Sequence, residues 1–454
     1  MKVNPLMFRE YDIRGRVDED LTVEVAEAIG RAYGTMVRRA GGRRVVSGRD
    51  GRLSGPKLQE ALIKGILSTG VDVINIGVTP TPVMYFSLFK LPEVDGGIQV
   101  TGSHNPPEFN GFKICVGKET LYGPKIQELR ELIEKEDFET GQGKVEDYDI
   151  LPEYKKFLKE NINVSRPLKV VLDCGNGVTA LTAPEAFRDQ GCEVTSLYCE
   201  VDGTFPNHFP DPVVEENIKD LRAKVLEIRA DFGVGYDGDG DRIGVVDDKG
   251  RILWGDQLLI IFARDILKKH PGATIIGEVK CSQVMYDEIA RLGGRPIMWK
   301  TGHSLIKGKM KEEKALLAGE MSGHIFFADR YFGFDDAVYA SLRLAEIVAA
   351  SEVPLSQMLE DLPQMVATPE IRVECPDEKK FEIVKRLTEK LKAEGFNVID
   401  IDGARVIFED GWGLVRASNT QPVLVLRFEA RDEKRLQEIR RLIEEKLEEV
   451  KKEV

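Results

Sequence analysis

Residues 230–246 read Ala-Asp-Phe-Gly-Val-Gly-Tyr-Asp-Gly-Asp-Gly-Asp-Arg-Ile-Gly-Val-Val, two short apolar runs around a loop of glycine and aspartate. Short apolar runs that end in glycine and polar residues are typical of buried strands. The pattern recurs at four other places, 45–50, 97–104, 169–177 and 274–280. Amphipathic stretches such as 125–137 and 217–229 lie between the runs. This alternation predicts α/β units, whose ligands bind at loops beyond the carboxyl ends of the strands.

The length and the local shifts in composition predict several domains. The chain has 454 residues, and its composition changes near 148–153, 254–257 and 366–369. We predict α/β domains at 1–150, 151–254 and 255–367 and an α+β domain at 368–454. The last is expected to run helix, strand, strand, loop, strand, helix, because its closing segment carries a helical apolar stripe of Leu436, Ile439, Ile443, Leu447 and Val450.

The acidic loop has the composition of a metal site. Asp237, Asp239 and Asp241 are separated by single glycines, so three carboxylates can converge. Two charges about 4 Å apart interact by about 4 kcal/mol at an effective dielectric near 20, so such clustering is costly without a cation. Oxygen ligands select a hard cation, and we therefore predict Mg²⁺.

Two other known patterns do not explain this loop. An EF-hand needs glycine at its sixth position and glutamate at its twelfth, where the chain has Arg242 and Asp248. Residues 233–238 match the G-x-G-x-x-G dinucleotide pattern, but that pattern must open a helix, and strand-like sequence follows here. The chain also has no P-loop, which argues against a nucleotide-driven kinase.

A second loop presents a serine as a candidate nucleophile. Residues 101–113 follow a strand-like run and are dense in turn formers. An ordinary turn is the alternative, but His104 and Lys113 favour chemistry at Ser103, because a hydroxyl needs a neighbouring base or positive charge to take part in phosphoryl transfer.

Two weaker motifs suit a phosphorylated sugar. Residues 319–324 combine a carboxylate, a hydroxyl and an imidazole, a set that matches sugar hydroxyls, although a turn with a helix cap remains an alternative. Residues 416–420 place arginine and turn formers before a strand, where they could hold a phosphate. Lys280 and His303 add a cation and an imidazole at predicted strand ends.

The composition excludes several classes of protein. A net charge of −13 argues against nonspecific nucleic-acid binding, which needs a basic face. Apolar runs such as 258–263 are too short to cross a bilayer, and the N-terminus lacks signal-peptide features, so we predict a cytoplasmic protein without a membrane partner. Six cysteines without a Cys-x-x-Cys pair predict reduced thiols and no zinc site.

Together with Tyr-Asp-Ile-Arg-Gly at 11–15, these motifs resemble, in order from Tyr11 to Phe428, those of the α-D-phosphohexomutase superfamily, and in particular of its phosphomannomutase/phosphoglucomutase group. Residues 101–105 resemble the family's phosphoserine loop, and 237–242 its metal loop. The resemblance implies three similar α/β domains with mixed sheets and a C-terminal α+β domain around a central cleft.

The resemblance also implies residue roles. It implies these catalytic residues: Ser103, His104, Lys113, Arg14, Arg242 and His303. It implies these substrate-binding residues: Tyr11, Lys280, Glu320, Ser322, His324, Arg416, Ser418, Asn419 and Thr420. It implies that Mg²⁺ is bound by Ser103, Asp237, Asp239 and Asp241.

The implied reaction interconverts hexose 1-phosphate and hexose 6-phosphate through phospho-Ser103, with hexose 1,6-bisphosphate as intermediate and activator. Loop 319–324 resembles the form found in enzymes that handle both mannose and glucose phosphates. Glucosamine phosphate mutases usually differ at the position of Met321. A phosphoglucosamine mutase, a sugar phosphatase and a noncatalytic sugar-phosphate sensor are the alternatives. The sequence leaves the oligomeric state open.

Overall fold

The computed structural model describes residues 1–454 and contains four sheets, which follow one another along the chain. The first domain has a seven-stranded mixed sheet in the order β1-β5-β4-β2-β3-β7, with β6 on β5. Its strands are β1 (Ile13–Arg16), β2 (Arg44–Arg49), β3 (Asp72–Val78), β4 (Gly96–Val100), β5 (Phe109–Val116), β6 (Glu119–Thr120) and β7 (Val145–Asp147). Its helices are α1 (Val23–Arg39), α2 (Gly55–Leu67), α3 (Thr81–Lys90) and α4 (Pro124–Lys135).

The second domain has a five-stranded mixed sheet in the order β12-β11-β10-β8-β9. Its helices are α5 (Leu151–Asn161), α6 (Ala183–Asp189) and α7 (Lys219–Ile228). Its strands are β8 (Lys169–Asp173), β9 (Glu193–Leu197), β10 (Phe232–Tyr236), β11 (Ile243–Asp247) and β12 (Ile252–Leu253). The fully buried strands β10 and β11 pair antiparallel, so the acidic loop is the turn of a hairpin. Gly233 lets α7 approach, since a Cβ there would lie 2.6 Å from Val225 Cγ2.

The third domain has a four-stranded mixed sheet in the order β14-β13-β15-β16. Its strands are β13 (Thr274–Glu278), β14 (Arg295–Trp299), β15 (Leu317–Gly319) and β16 (Ile325–Phe327). Its helices are α8 (Gly255–Lys269), α9 (Gln283–Arg291), α10 (His303–Glu313) and α11 (Ala337–Ala350). Helix α11 also contacts β11 and α6 and so joins the third domain to the second.

The fourth domain has an antiparallel sheet in the order β17-β22-β21-β20-β19, with β18 also on β22. Its strands are β17 (Val366–Ala367), β18 (Ile371–Glu374), β19 (Asn397–Ile399), β20 (Ala404–Phe408), β21 (Gly411–Ala417) and β22 (Val423–Ala430). Its helices are α12 (Asp377–Ala393) and α13 (Glu433–Lys451). The α+β prediction is confirmed, but the predicted element order is wrong, because two short strands precede the first helix and four strands follow it. The predicted stripe on α13 is buried against the sheet.

One apolar core runs through the first three domains, and the first and fourth domains each have a further core of their own. A cluster of 55 buried residues runs through the first three domains, a separate cluster of 27 lies within the first domain, and a cluster of 18 fills the fourth. Val279 of the third domain packs on Trp412 and Leu414 of the fourth in a small separate cluster. No helix combines the length and apolar character that a bilayer crossing requires. The four-domain architecture with mixed sheets in the first three domains confirms the predicted fold class.

Candidate active site

The serine loop meets the acidic loop at the junction of the first two domains. Ser103 follows β4 with a φ of 50°, in the left-handed region, and is only 3% exposed. Its hydroxyl donates to Asp237 Oδ2 at 3.0 Å and lies 3.1 Å from His104 Nδ1. The two backbones approach so closely that a Cβ on Gly238 would lie 2.4 Å from the Ser103 carbonyl oxygen. The hydroxyl is thus fixed beside a carboxylate.

A buried ion pair, which is absent from the residues predicted above, holds the serine loop. The Arg52 guanidinium donates to the carbonyl oxygens of Ser103 at 3.1 Å and Asn105 at 2.6 Å, and also to those of Pro106 and Phe109. Its Nε lies 3.1 Å from Asp50 Oδ2. That carboxylate oxygen also accepts from the Thr101 hydroxyl at 2.8 Å. The ends of β2 and β4 are therefore bound together next to Ser103.

The acidic loop is a tight turn that converges three carboxylates. Asp237 Oδ1 accepts the backbone N–H groups of residues 240, 241 and 242 at 3.0 to 3.2 Å. Asp237, Asp239 and Asp241 each offer one oxygen, and these oxygens lie within 4.8 Å of one another. All three side chains are fully buried. The geometry matches the convergence predicted from the glycine spacing.

The buried oxygens of this cluster fit a hard cation. Asp239 Oδ1 and Asp241 Oδ1 are buried and have no hydrogen-bond partner in the protein. Burial raises the pKa of Asp237 well above its usual range, and the charges of Asp241 and Asp239 raise it further. A divalent ion would supply the missing partners and neutralise the repulsion, and oxygen-only ligands favour Mg²⁺.

Two cations partly offset these carboxylates. The Lys113 ammonium lies 2.9 Å from Asp239 Oδ2 and also pairs with Asp241. Burial lowers the pKa of Lys113, but Asp239 and Asp241 more than reverse this and raise it above its usual value. Arg242 Nη2 lies 3.1 Å from Asp211 Oδ1, and its Nε lies 3.4 Å from Asp237 Oδ2. Both groups therefore remain charged beside Ser103.

The third domain contributes two facing imidazoles. The rings of His303 and His324 are stacked with centroids 5.5 Å apart. His324 Nδ1 lies 2.8 Å from Asp335 Oδ2. Burial lowers the pKa of His324, but Asp241 and Asp335 raise it above its usual value. Burial, followed by the charge of Lys307, lowers the pKa of His303, and His303 Nδ1 has no protein partner. His303 is thus a neutral imidazole at neutral pH with an unpaired ring nitrogen.

Glu320 and Ser322 lie in the turn between β15 and β16. Glu320 Oε1 accepts the backbone N–H of Gly302 at 2.8 Å, which links this turn to the start of α10. Burial raises the pKa of Glu320. The side chain of Ser322 is partly exposed and makes no hydrogen bond within the protein. This turn therefore presents a carboxylate, a hydroxyl and the His324 imidazole together.

Lys280 follows β13 and is held between two carboxylates. Its ammonium lies 3.2 Å from Glu370 Oε2 of the fourth domain and 4.0 Å from Glu278 Oε1. Burial lowers the pKa of Lys280, but Glu278 and Glu370 raise it above its usual value. The backbone on either side is fixed by Arg405, which donates to the carbonyl oxygens of Val279 at 2.5 Å and Cys281 at 2.8 Å.

The loop 416–420 closes the site from the fourth domain. Arg416 Nε lies 3.1 Å from Asp402 Oδ2, which also accepts the N–H of Thr301 at 3.0 Å. Ser418 Oγ accepts the backbone N–H groups of Thr420 at 3.3 Å and Gln421 at 3.1 Å. The loop thus places a guanidinium next to a tight polar turn.

Two residues near the N-terminus complete the assembly. The Asn419 amide donates to the Tyr11 hydroxyl at 2.5 Å, and that hydroxyl donates to the Thr301 carbonyl oxygen at 2.6 Å. Arg14 donates to Asn105 Oδ1 at 2.6 Å and to Asp12 Oδ2 at 2.5 Å. Contacts among the predicted site residues thus involve all four domains.

Several supporting residues were missed at the sequence level. They are Asp50, Arg52, Thr81, Glu278, Asp335 and Asp402. The Thr81 hydroxyl at the start of α3 donates to Asp239 Oδ2 at 2.6 Å. For Asp50 and Arg52 a signal existed, since two opposite charges directly follow a buried strand. Glu278 lies only two residues before its partner Lys280, whereas the partners of Thr81, Asp335 and Asp402 lie outside their local sequence.

Comparison with known families gives matches along nearly the whole chain. The alpha/beta/alpha domains I, II and III described for phosphoglucomutase/phosphomannomutase match residues 5–140, 152–250 and 254–366, and the C-terminal domain matches 370–446. The phosphomannomutase/phosphoglucomutase of Pseudomonas aeruginosa is 51% identical over 441 residues, which cover 97% of this chain and 95% of the relative. A phosphoglucomutase of Neisseria meningitidis serogroup A is 47% identical and covers 93% of each chain.

Solved structures of similar proteins agree with these family matches. A phosphoglucomutase/phosphomannomutase family protein from Burkholderia thailandensis superposes with a TM-score of 0.94 at 45% identity and covers 99% of this chain and 98% of its own. An N-acetylphosphoglucosamine mutase from Aspergillus fumigatus superposes with a TM-score of 0.60 at 15% identity, covers 93% of this chain and 96% of its own, and therefore shares the fold alone.

Proposed function

The chain belongs to the phosphoglucomutase/phosphomannomutase family and is a phosphohexomutase, and we propose that it exchanges phosphate between the 1- and 6-positions of mannose and glucose through Ser103. The observation that carries this proposal is the contact of the buried Ser103 hydroxyl with Asp237 at 3.0 Å, beside the cations Lys113 and Arg242. A serine in an ordinary turn would need neither the carboxylate cluster nor the cations.

Mg²⁺ is the proposed cofactor, bound by Asp237, Asp239, Asp241 and the phosphorylated Ser103. When bound, the ion would neutralise charge on the transferring phosphoryl group. The two unpaired buried carboxylate oxygens and the exclusively oxygen donors support this proposal.

Side chains around the serine then position the reacting groups. Phosphoryl transfer needs alignment and charge stabilisation more than covalent help from the protein. Lys113 and Arg242 remain charged and face the phosphoryl oxygens. His303, which is neutral and has an unpaired Nδ1, is the proposed acceptor of the proton from the attacking sugar hydroxyl. The P–O bond to Ser103 breaks as the bond to the sugar oxygen forms, which gives a hexose 1,6-bisphosphate.

The remaining groups hold the sugar in two orientations. The bisphosphate must turn over so that its other phosphate can return to Ser103. Loop 416–420 with Tyr11 and Lys280 is proposed to bind whichever phosphate is not reacting, and Arg14 and His104 to support the reacting one. Glu320, Ser322 and His324 are proposed to bind sugar hydroxyls. Added bisphosphate is expected to act as an activator, because it rephosphorylates Ser103.

The names of the similar proteins support the proposal that both mannose phosphate and glucose phosphate are substrates. The P. aeruginosa relative is named a phosphomannomutase/phosphoglucomutase, and the N. meningitidis relative is named a phosphoglucomutase. Domain boundaries at 1–150, 151–254, 255–367 and 368–454 and a cytoplasmic location remain our predictions from the sequence.

One assay tests the proposal against its alternatives. The enzyme is given Mg²⁺, a trace of glucose 1,6-bisphosphate and the 1-phosphate of glucose, mannose or glucosamine. We expect glucose 6-phosphate and mannose 6-phosphate. Release of inorganic phosphate would instead indicate a phosphatase, turnover of glucosamine phosphate alone a glucosamine mutase, and binding without turnover a sensor.

Replacement of the nucleophile tests the covalent step. Ser103→Ala should lower kcat by at least about a thousandfold, with little change in thermal stability, because it removes the acceptor oxygen. Ser165→Ala, at an exposed serine without hydrogen bonds, is the matched control and should retain full activity. Retained turnover in Ser103→Ala would refute the phosphoserine intermediate.

A further inference from the structure

Two cysteines of the second domain lie in sulfur–sulfur contact. Cys174 directly follows β8, and Cys199 lies two residues after β9. The strands are parallel neighbours with Asp173 opposite Leu197, so both loops leave the same edge of the sheet. The two Sγ atoms are 2.7 Å apart. None of the other four cysteines has a sulfur partner.

The backbone around the two thiols is already fixed by hydrogen bonds. Cys174 N–H donates to the Leu197 carbonyl oxygen at 3.1 Å, and Asn176 N–H donates to the Tyr198 carbonyl oxygen at 2.8 Å. A disulfide bond is about 2.05 Å long, so less than 1 Å of sulfur movement separates this contact from a bond. We propose that Cys174 and Cys199 are a covalent modification site, at which a reversible disulfide forms.

The order of the chemical steps follows from access. Cys199 is partly exposed, whereas Cys174 is fully buried. The contact with Cys174 lowers the pKa of Cys199, and burial raises that of Cys174. The Cys199 thiolate attacks a small-molecule disulfide, forms a mixed disulfide and expels one thiolate. Cys174 then loses its proton and attacks the Cys199 sulfur, and the second thiol leaves. Two S–H bonds are lost and the oxidant is reduced to two thiols.

The disulfide bond would make the turn that begins at Cys174 more rigid, and this turn packs against the acidic loop. It would not move the acidic loop. Val178 N–H donates to the Gly238 carbonyl oxygen at 3.2 Å, and a Cβ on Gly177 would lie 2.8 Å from that oxygen. The turn that begins at Cys174 therefore backs directly on the loop between Asp237 and Asp239. Because the sulfurs are already in contact, we expect turnover to be unchanged within about twofold. Cross-linking also restricts the unfolded chain, so the melting temperature should rise by about 2 °C or more.

The test oxidises the full-length native enzyme with oxidised glutathione. Free thiols are then alkylated in denaturant and counted by intact mass. We expect two of the six thiols to be lost, with a bond between the tryptic peptides 170–188 and 189–219. The second peptide contains both Cys192 and Cys199, so cleavage after Glu193 is needed to assign the partner. Dithiothreitol should restore six thiols and lower the melting temperature again.

Two variants complete the test. Cys199→Ser should keep all its remaining thiols under the same oxidation, whereas the matched control Cys192→Ser should still form the bond. Six free thiols in oxidised wild type, or a glutathione adduct at Cys199 that Cys174 never displaces, would overturn the proposal. Thiol loss that persists in Cys199→Ser would also overturn it. The wild-type result stands by itself if a variant fails to fold.

Discussion

At the scale of single residues, Arg52 determines where Ser103 stands. Its guanidinium binds four carbonyl oxygens of the serine loop and has no exposed surface. A forked, planar donor can satisfy several acceptors at fixed angles, which a lysine ammonium cannot do. The left-handed backbone at Ser103 is therefore maintained by a side chain that need not touch the substrate.

Arg52→Lys should lower kcat by about tenfold or more, because the serine loop loses its fixed position. Lysine retains the positive charge that faces Asp50, so the fold should persist. We expect the free energy of unfolding to fall by about 1–3 kcal/mol. Arg43→Lys, at an exposed arginine, is the control. Steady-state kinetics and urea unfolding measure the two effects, and wild-type kcat in Arg52→Lys would show that Arg52 does not position Ser103.

Asp239→Asn should raise the Mg²⁺ concentration for half-maximal turnover by about tenfold or more, because it removes one charge from the proposed ligand set. Asparagine has nearly the shape of aspartate, and its side-chain oxygen can still accept the hydrogen bond from Thr81. Asp189→Asn, at an exposed aspartate, should leave the Mg²⁺ titration unchanged. An unaltered metal requirement in Asp239→Asn would remove this cluster from the metal site.

Residue-level prediction from sequence succeeded where the chemistry is local. Three aspartates within five residues must converge in any tight turn, and the structure shows that they do. The hydrogen bonds that Thr81 and Lys113 donate to Asp239 were not predictable, because both residues come from another domain and only the packing of the fold brings them there.

At the scale of elements, the turn after β8 depends on a titrating histidine. His208 Nε2 lies 3.0 Å from Asp173 Oδ2, and its ring borders Gly175. Burial lowers the pKa of His208, but the hydrogen bond and charge of Asp173 raise it above the usual 6.5. The charged form is thus favoured in the folded state.

This pair should stabilise the protein most at low pH. A raised folded pKa gives stability that is fully present below about pH 6.5 and is lost as the pH rises through the folded value. His208→Gln should therefore lower the free energy of unfolding by up to about 1 kcal/mol near pH 6 and by less near pH 9. Chemical unfolding at both pH values measures the difference. His270→Gln, at an exposed histidine without an ion pair, is the control, and equal losses at both pH values in His208→Gln would contradict the assignment.

Elements with a strong period were predictable, and short edge strands were not. The stripe on α13 recurs every three to four residues, which fixes both the helix and its buried face. Strand β18 has only four residues, of which two are exposed, and its pairing with β22 is what makes it a strand. Pairing across such a distance leaves no mark in the local sequence.

At the scale of the whole molecule, one domain is attached differently from the other three. A continuous cluster of 55 buried apolar residues links the first three, whereas the fourth meets the third through one small apolar cluster and polar contacts such as those of Arg405. The Arg405 guanidinium also stacks on Trp412 at 3.8 Å. Regions with fewer buried apolar contacts open at lower free energy.

Hydrogen exchange should therefore show α12, α13 and the sheet of the fourth domain opening as one unit before α8 and α11. Arg405→Gln should increase exchange in the fourth domain and around Val279 by about tenfold, because buried carbonyl oxygens lose their donor. Arg386→Gln, on the exposed face of α12, should leave the pattern unchanged. Simultaneous opening of all four domains would contradict this division.

The hydrogen bond from Asn419 to Tyr11 joins residues 408 positions apart, and it has a consequence for synthesis on the ribosome. The chain emerges from its N-terminus, so Ser103 is translated 316 residues before Asn419, since 419 − 103 = 316. At about 5–20 residues per second this interval lasts roughly 15 to 60 s. A nascent chain thus carries the proposed nucleophile and the acidic loop well before loop 416–420 exists, so we expect it to gain catalytic competence only late in translation.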